Sequence, residues 1–251
     1  MISARGLSKS FDGGRVFALR DVSVDIQPGE FVAVIGLSGA GKSTFLRSIN
    51  GTSTPSGGKL EVLGLKVEGN TPAELVALRR RIGFIFQQFN LVKNLTALQN
   101  VLVGRSAFVP LWRSLTGLYG QENLDLAMDA MDSVGLSGRY WEKARNLSGG
   151  QQQRVAIARA LVQQPKIILA DEPMASLDPK LSEVVLEILA RINREAGITV
   201  LVNIHVLELA RKYARRILAF RMGELVFDGK PDELTPEKIE AIYTLEGSSV
   251  H

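Results

Sequence analysis

The sequence predicts an α/β fold: a mixed, largely parallel sheet with helices on both faces, an antiparallel β subdomain and an inserted helical subdomain. Three observations predict it. Four short apolar runs, at residues 31–35, 82–86, 167–170 and 199–204, are continuous rather than alternating, as strands buried on both faces are. Helical segments separate these runs. From about Gln88 to Asn146 strand signals vanish, and Leu124, Ala127, Met128 and Met131 recur at helical spacing before Gly135.

Taken in order, residues 16–26 read as antiparallel hairpin material, which predicts a mixed sheet toward the N-terminal side. The run at 31–35 leads into a glycine-rich stretch. Phe45, Leu46 and Ile49 then repeat at helical spacing until Asn50-Gly51, a helix that starts where the glycines end. Pro55-Ser56-Gly57-Gly58 reads as a turn rather than a linker. A second hairpin is expected over 216–228, turning at Met222-Gly223. Solenoid-period repeats and low-complexity tracts are absent from the sequence, so one domain is expected over 1–251.

Composition narrows the function classes. With 251 residues and 45% hydrophobic content the chain can bury one sizeable core or two smaller ones. It has no run near the roughly 18 apolar residues that a membrane span needs, and its start shows no secretory signal, so cytosolic residence is expected. The absence of cysteine excludes disulfides, thiolate nucleophiles, zinc fingers and iron–sulfur clusters. The net charge of +4 concentrates at Arg79-Arg80-Arg81 and at Arg211, Lys212, Arg215 and Arg216. Without interleaved aromatics to stack bases, these clusters read as solvated helix faces, and no nucleic-acid partner is expected.

The most informative stretch is Gly36-Leu37-Ser38-Gly39-Ala40-Gly41-Lys42-Ser43-Thr44. It fits G-x-x-x-x-G-K-[ST] directly after a strand and before a helix. A triphosphate is best held by many backbone N–H donors and by the positive end of a helix dipole. In that setting Lys42 reaches the β- and γ-phosphates, Ser43 ligates Mg²⁺, and Thr44 touches the α-phosphate. ATP and Mg²⁺ are the expected ligands. The core, at 1–87 and 163–251, is therefore read as a P-loop NTPase, with residues 88–162 as the inserted helical subdomain.

Two acids, Asp171 and Glu172, follow the run at 167–170 and would stand at the carboxyl edge of the sheet, where ligands bind in such folds. Taken alone, an acidic pair there can equally be a helix N-terminal charge or an exposed turn. Beside a phosphate cradle, Asp171 is suited to orienting Mg²⁺ and Glu172 to polarising the attacking water as general base. His205, just past the run at 199–204, would reach the same edge and bridge γ-phosphate and water.

Leu147-Ser148-Gly149-Gly150-Gln151 adds a second anion site: Ser148 can cap a helix running through Val155, Ala158 and Leu161 toward Pro165, leaving glycine amides facing outward. This pentapeptide resembles the signature of ATP-binding cassette (ABC) ATPases. The resemblance spans nearly the whole chain. It implies a head-to-tail dimer in which ATP lies between the cradle of one subunit and residues 148–151 of the other. It also implies that Phe11 stacks on adenine, that Gln87 contacts Mg²⁺ and senses a permease, that Ser176-Leu177-Asp178-Pro179 exchanges contacts across the dimer, and that His205 is a switch histidine. Two departures stand out: Val206 follows His205 where many relatives carry an acid, and Gln88 adjoins Gln87.

A single cassette without fused membrane segments resembles the ATPase of a bacterial importer, whose partners are integral membrane permease subunits and, indirectly, a substrate-binding protein. The expected location is the cytoplasmic face of the membrane. Residues 84–91, 110–115 and 201–205 most resemble phosphonate importer ATPases. Cassettes importing phosphate or amino acids are the alternative, and a nontransport cassette acting on nucleic acid a further one. The apolar stretch 108–119, with Trp112 and Arg113, fits either a permease anchor or a hairpin packed inside its own subdomain.

Overall fold

The structure, a computed structural model, describes residues 1–11 and 15–244. Its strands are β1 (Ile2–Phe11), β2 (Val16–Ile26), β3 (Phe31–Ile35), β4 (Gly57–Val62), β5 (Leu65–Lys66), β6 (Ile82–Ile85), β7 (Ile167–Ala170), β8 (Thr199–Asn203), β9 (Arg216–Arg221) and β10 (Glu224–Gly229). Its α-helices are α1 (Lys42–Ile49), α2 (Pro72–Arg80), α3 (Ala97–Leu102), α4 (Leu111–Thr116), α5 (Gln121–Ser133), α6 (Gly149–Leu161), α7 (Pro179–Ala196), α8 (Leu207–Tyr213) and α9 (Pro236–Tyr243). Two compact units divide the chain: one joins Met1–Thr71 to the stretch from Leu201 onward, and the other is Pro72–Val200. The boundary falls inside β8.

In the first unit an antiparallel sheet runs in the order β2-β1-β4-β5. Ile2 faces Ile26 on one side and Val62 on the other, and all three are buried. The sheet thus has one apolar face. Residues 16–26, expected to form antiparallel hairpin material, do so as one long strand: β2 pairs antiparallel with β1, Phe11 opposite Val16, and β1 gives the weaker signal. In β1 the buried positions Ile2, Ala4 and Leu7 break alternation at a register shift, where Gly6 takes a φ of 59°. A bulge hides the period-two pattern from a reader of the sequence.

The same unit holds β3, whose five residues are all buried. β9 pairs parallel with it, Val34 opposite Leu218, and β10 closes the edge antiparallel to β9 around the expected Met222-Gly223 turn. On the other side of β3 the Ile204 N–H donates to the Val34 carbonyl at 3.1 Å. That bond sets the carboxyl ends of β8 and β3 side by side. The predicted strand 199–204 is one residue longer than β8, yet Ile204 still pairs.

In the second unit β6 and β7 form a parallel pair, Ile82 opposite Ile167 and Ile85 opposite Ala170. Phe86, expected inside the strand, lies beyond its end and is exposed. The helices α3, α5 and α6 pack together through Leu98, Val101, Ala127, Met131, Val155 and Ala158, all buried. Asn100, also buried, accepts from the Val92 N–H at 2.8 Å and donates to the Val92 and Thr96 carbonyls at 3.1 and 2.9 Å. One polar side chain therefore pins the loop before α3. Among the described residues no helix is long and apolar enough to cross a membrane.

Candidate nucleotide site

The phosphate-binding motif occupies the turn from β3 into α1. Gly36 has a φ of 138°, and a Cβ built on it would lie 2.2 Å from the Phe220 carbonyl oxygen. Gly41 has a φ of 104°, and its Cβ would lie 2.3 Å from the Ala18 carbonyl oxygen. Both glycines are therefore required by backbone packed behind the loop. Gly39, with a φ of 79°, has nothing within 4 Å of that position, so it faces open space.

The loop is fastened from behind. The Gly223 N–H donates to the Ala40 carbonyl at 3.0 Å, and the Arg20 N–H donates to the Gly223 carbonyl at 2.8 Å. At α1 no side chain caps the first turn, because Gly41 stands at the cap; the helix presents its free amides and positive dipole end to the loop. Lys42 is buried, its Nζ donating to the Gly36 and Leu37 carbonyls at 2.8 and 2.9 Å. Ser43 and Thr44 are half-buried, and Ser38 and Gly39 are exposed. A cavity of about 160 Å³ lies beside the loop, lined by residues 37–40, Arg221, Met222 and Thr244.

Two further expected residues belong to this unit. His205 is exposed directly after Ile204, at the carboxyl edge that β8 shares with β3. Phe11 is exposed at the end of β1, with Lys9 Nζ 5.3 Å from its ring centroid.

The second unit carries the acids, the glutamine and the signature. Asp171 is buried, and its N–H donates to the Ile85 carbonyl at 2.9 Å, so the end of β7 is locked to the end of β6. Gln87, two residues past Ile85, is exposed at that same edge. Glu172 has a φ of 51°. Left-handed backbone at a non-glycine residue costs roughly 1–3 kcal/mol and persists where surrounding structure enforces it. Here the Ala175 N–H closes a turn on the Glu172 carbonyl at 3.2 Å.

Ser148 caps α6 as expected. Its Oγ accepts from the Gln151 N–H at 3.3 Å, and the Gln151 Oε1 accepts from the Ser148 N–H at 2.8 Å. The reciprocal pair fixes the helix start. Gly149 is exposed, whereas a Cβ on Gly150 would press to 3.0 Å from Leu181 of α7. The helix stops at Leu161, short of Pro165. Asp178 caps α7, its Oδ1 accepting from the Leu181 N–H at 3.0 Å.

Some residues of consequence gave no sequence signal. Arg159 donates through Nη1 to the Asn90 carbonyl at 2.6 Å and through Nη2 to the Phe89 carbonyl at 2.8 Å. Loss of water around it holds its pKa below the ordinary arginine value. In the sequence it is a single cation between Ala158 and Ala160, and no side-chain pattern marks its two backbone partners. The stretch 108–119 divides between its two expected readings. Tyr119 is buried with its hydroxyl 3.1 Å from Ser106 Oγ, and Phe108 lies beneath Arg105, whose Cζ is 4.1 Å from the ring centroid. Leu111, Trp112, Leu115 and Leu118 remain 74%, 56%, 79% and 60% exposed.

Comparison with known proteins agrees with this picture. The family model described as ABC transporter matches residues 19–175. The chain is 49% identical over 250 residues to the "Phosphonates import ATP-binding protein PhnC" of Bradyrhizobium diazoefficiens, covering 100% of this chain and 92% of that one. It is 46% identical over 242 residues to the protein of the same name from Staphylococcus epidermidis, covering 96% and 94%. Among solved structures it is similar to the dimeric post-hydrolysis state of the ATP-binding cassette MJ0796 bound to ADP and Pi, with a TM-score of 0.79, 38% identity, and 92% and 99% coverage. It is also similar to the ADP conformation of the cassette MJ1267, with a TM-score of 0.83, 28% identity, and 96% and 97% coverage. A cradle built for a polyphosphate, a capped glycine signature and these likenesses agree, and the chain belongs to the ABC transporter family.

Proposed function

We propose that the chain is the ATP-hydrolysing subunit of a bacterial ABC importer for a phosphonate or a related phosphorus oxyanion, converting ATP and water to ADP and phosphate. The observation that carries this reading is the cradle: backbone behind Gly36 and Gly41 excludes any side chain, while the uncapped start of α1 and Lys42 meet at the loop. The solute class is supported by the names of the relatives: both curated relatives described above are phosphonate import proteins.

In this reading Gly36, Leu37, Ser38, Gly39, Ala40, Gly41, Lys42, Ser43 and Thr44 hold the phosphates, and Phe11 stacks on the adenine. Glu172 is the general base, with His205 as its partner toward the γ-phosphate. Magnesium, when bound, neutralises charge on the β- and γ-phosphate oxygens. Its donors would be the Ser43 hydroxyl, the Asp171 carboxylate and the Gln87 amide oxygen. All are oxygen ligands, as a hard cation prefers.

Ser148, Gly149, Gly150 and Gln151 present the start of α6 to the nucleotide of a second copy in a head-to-tail dimer. Residues 1–87 and 163–251 act as the nucleotide-binding core and 88–162 as the helical subdomain. The chain works peripherally at the cytoplasmic face of the membrane, on permease subunits fed by a substrate-binding protein. Support for the docking surface comes from α4. Its exposed Leu111, Trp112 and Leu115, with Leu118 just beyond its end, lie in a stretch with no Asp or Glu between Glu74 and Glu122, although Arg79, Arg80, Arg81, Lys93, Arg105 and Arg113 fall there. An apolar permease segment carrying acidic residues fits that surface.

Glu172→Gln tests the reading, since it keeps the shape and removes the base. ATP binding is retained while turnover falls about 10²- to 10⁴-fold, and magnesium ATP brings the variant to a dimer by sedimentation. Near-parental turnover, or a variant that stays monomeric both alone and with its permease, would overturn it.

A further inference from the structure

The helix that starts at the signature reaches back, through one side chain, to the loop that carries Gln87. Arg159 lies near the far end of α6, ten residues after Gly149 or about 15 Å along the axis. Helical side chains lean toward the N-terminus, and here the guanidinium spans back to donate to two consecutive carbonyls, Phe89 at 2.8 Å and Asn90 at 2.6 Å. No carboxylate is paired with it among the described residues, and desolvation alone lowers its pKa. A part-buried cation without an acid draws its compensation from whatever acceptors are aimed at it. These two carbonyls are the ones aimed.

Three more observations tighten the connection. Asn90 holds a φ of 49°, in the left-handed region, and its carbonyl and that of Phe89 both accept from the same guanidinium. The Phe89 ring approaches the other end of the helix: a Cβ on Gly149 would stand 4.0 Å from its Cζ. The backbone of Arg159 is itself clamped, since a Cβ on Gly104 would fall 2.3 Å from the Arg159 carbonyl oxygen and one on Gly83, in β6, 3.0 Å from the Ala160 Cβ. The anchor's backbone is closely packed, and the loop is what its side chain holds. A lysine there would keep the charge but lose the two-pronged fork that fits adjacent carbonyls.

We propose that Arg159 is a positioning residue that fixes the 88–90 loop to the signature helix, so that Gln87 and the start of α6 are set as one piece. This rests on the reading of Gln87 as a magnesium contact, and the test separates the two.

Arg159→Met and Arg159→Lys are prepared in the full chain and compared with the parent and with Gln87→Ala. Amide hydrogen exchange over residues 88–92 should speed up about tenfold to a hundredfold in Arg159→Met, the worth of a charge-assisted hydrogen bond, and by less in Arg159→Lys. Exchange over residues 155–158 should not change, and neither should ATP affinity. The magnesium concentration for half-maximal hydrolysis should rise about tenfold or more, as when an outer-shell partner of a metal ligand is removed. Should Arg159→Met fail to fold, Arg159→Lys decides by the same two readings. Unaltered exchange over 88–92 in a folded variant overturns the proposal, as does faster exchange without a magnesium effect when Gln87→Ala has one. If Gln87→Ala leaves the magnesium requirement untouched while exchange speeds up in the Arg159 variants, the tether stands and the metal reading of Gln87 falls.

Discussion

Residues of one type in one motif do different work, and the glycines of the cradle show it. Gly36 and Gly39 both hold positive φ, but a Cβ on Gly36 would strike the Phe220 carbonyl while one on Gly39 meets nothing. In the nucleotide-free protein Gly39→Ala should therefore cost only the left-handed strain, about 1–2 kcal/mol of folding stability. Gly36→Ala should cost that and the displacement of β9, with lower thermal stability and weakened ATP binding. Thermal unfolding and nucleotide titration of the pair check this; equal losses would remove the close approach as the reason for Gly36. The sequence names both glycines and cannot rank them, because what separates them is a carbonyl 184 residues away, at Phe220. Arg159 escapes a reading of the sequence for the same reason: its value lies in two backbone oxygens that no side-chain pattern encodes.

Elements follow local chemistry where local chemistry suffices. The strands buried on both faces, β3, β7 and β8, announce themselves as apolar runs because every residue of theirs is buried. Strands β1 and β4 do not, since one carries a bulge and the other opens on Gly57-Gly58 and reads as a turn. Helix starts are legible at α6, and α3 uses the same device: Thr96 and Gln99 form a capping box matching that of Ser148 and Gln151. Thr96→Ala and Ser148→Ala should each lose about 1 kcal/mol of stability. Only Ser148→Ala should slow hydrolysis as well, because only that cap belongs to the proposed second anion site. Denaturant unfolding with steady-state ATPase rates distinguishes them; equal ATPase effects would deny the signature any role beyond folding.

At the scale of the whole molecule the exposed side chains point to assembly. Leu111 and Leu115 share one face of α4, with Trp112 beside them, Arg113 Cζ 5.1 Å from its ring centroid and exposed Leu118 just past the helix end. The base of this segment is held by Tyr119 and Phe108, so truncating its tip leaves the fold intact. Trp112→Ala should keep its melting temperature and ATP affinity and lose copurification with the permease, since an anchoring aromatic at an interface commonly contributes 2 kcal/mol or more. Loss of folding instead would return the segment to the interior of its own subdomain.

The fastening of the cradle also fixes when in the life of the chain it can exist. Residues 20, 40 and 223 meet there, joined by two backbone hydrogen bonds. A ribosome that has released only the first two hundred residues has already emitted every letter of the phosphate motif but not the turn that braces it. Capacity to hold nucleotide thus arrives late in translation, after β9 and β10 have emerged and closed on a loop made long before them.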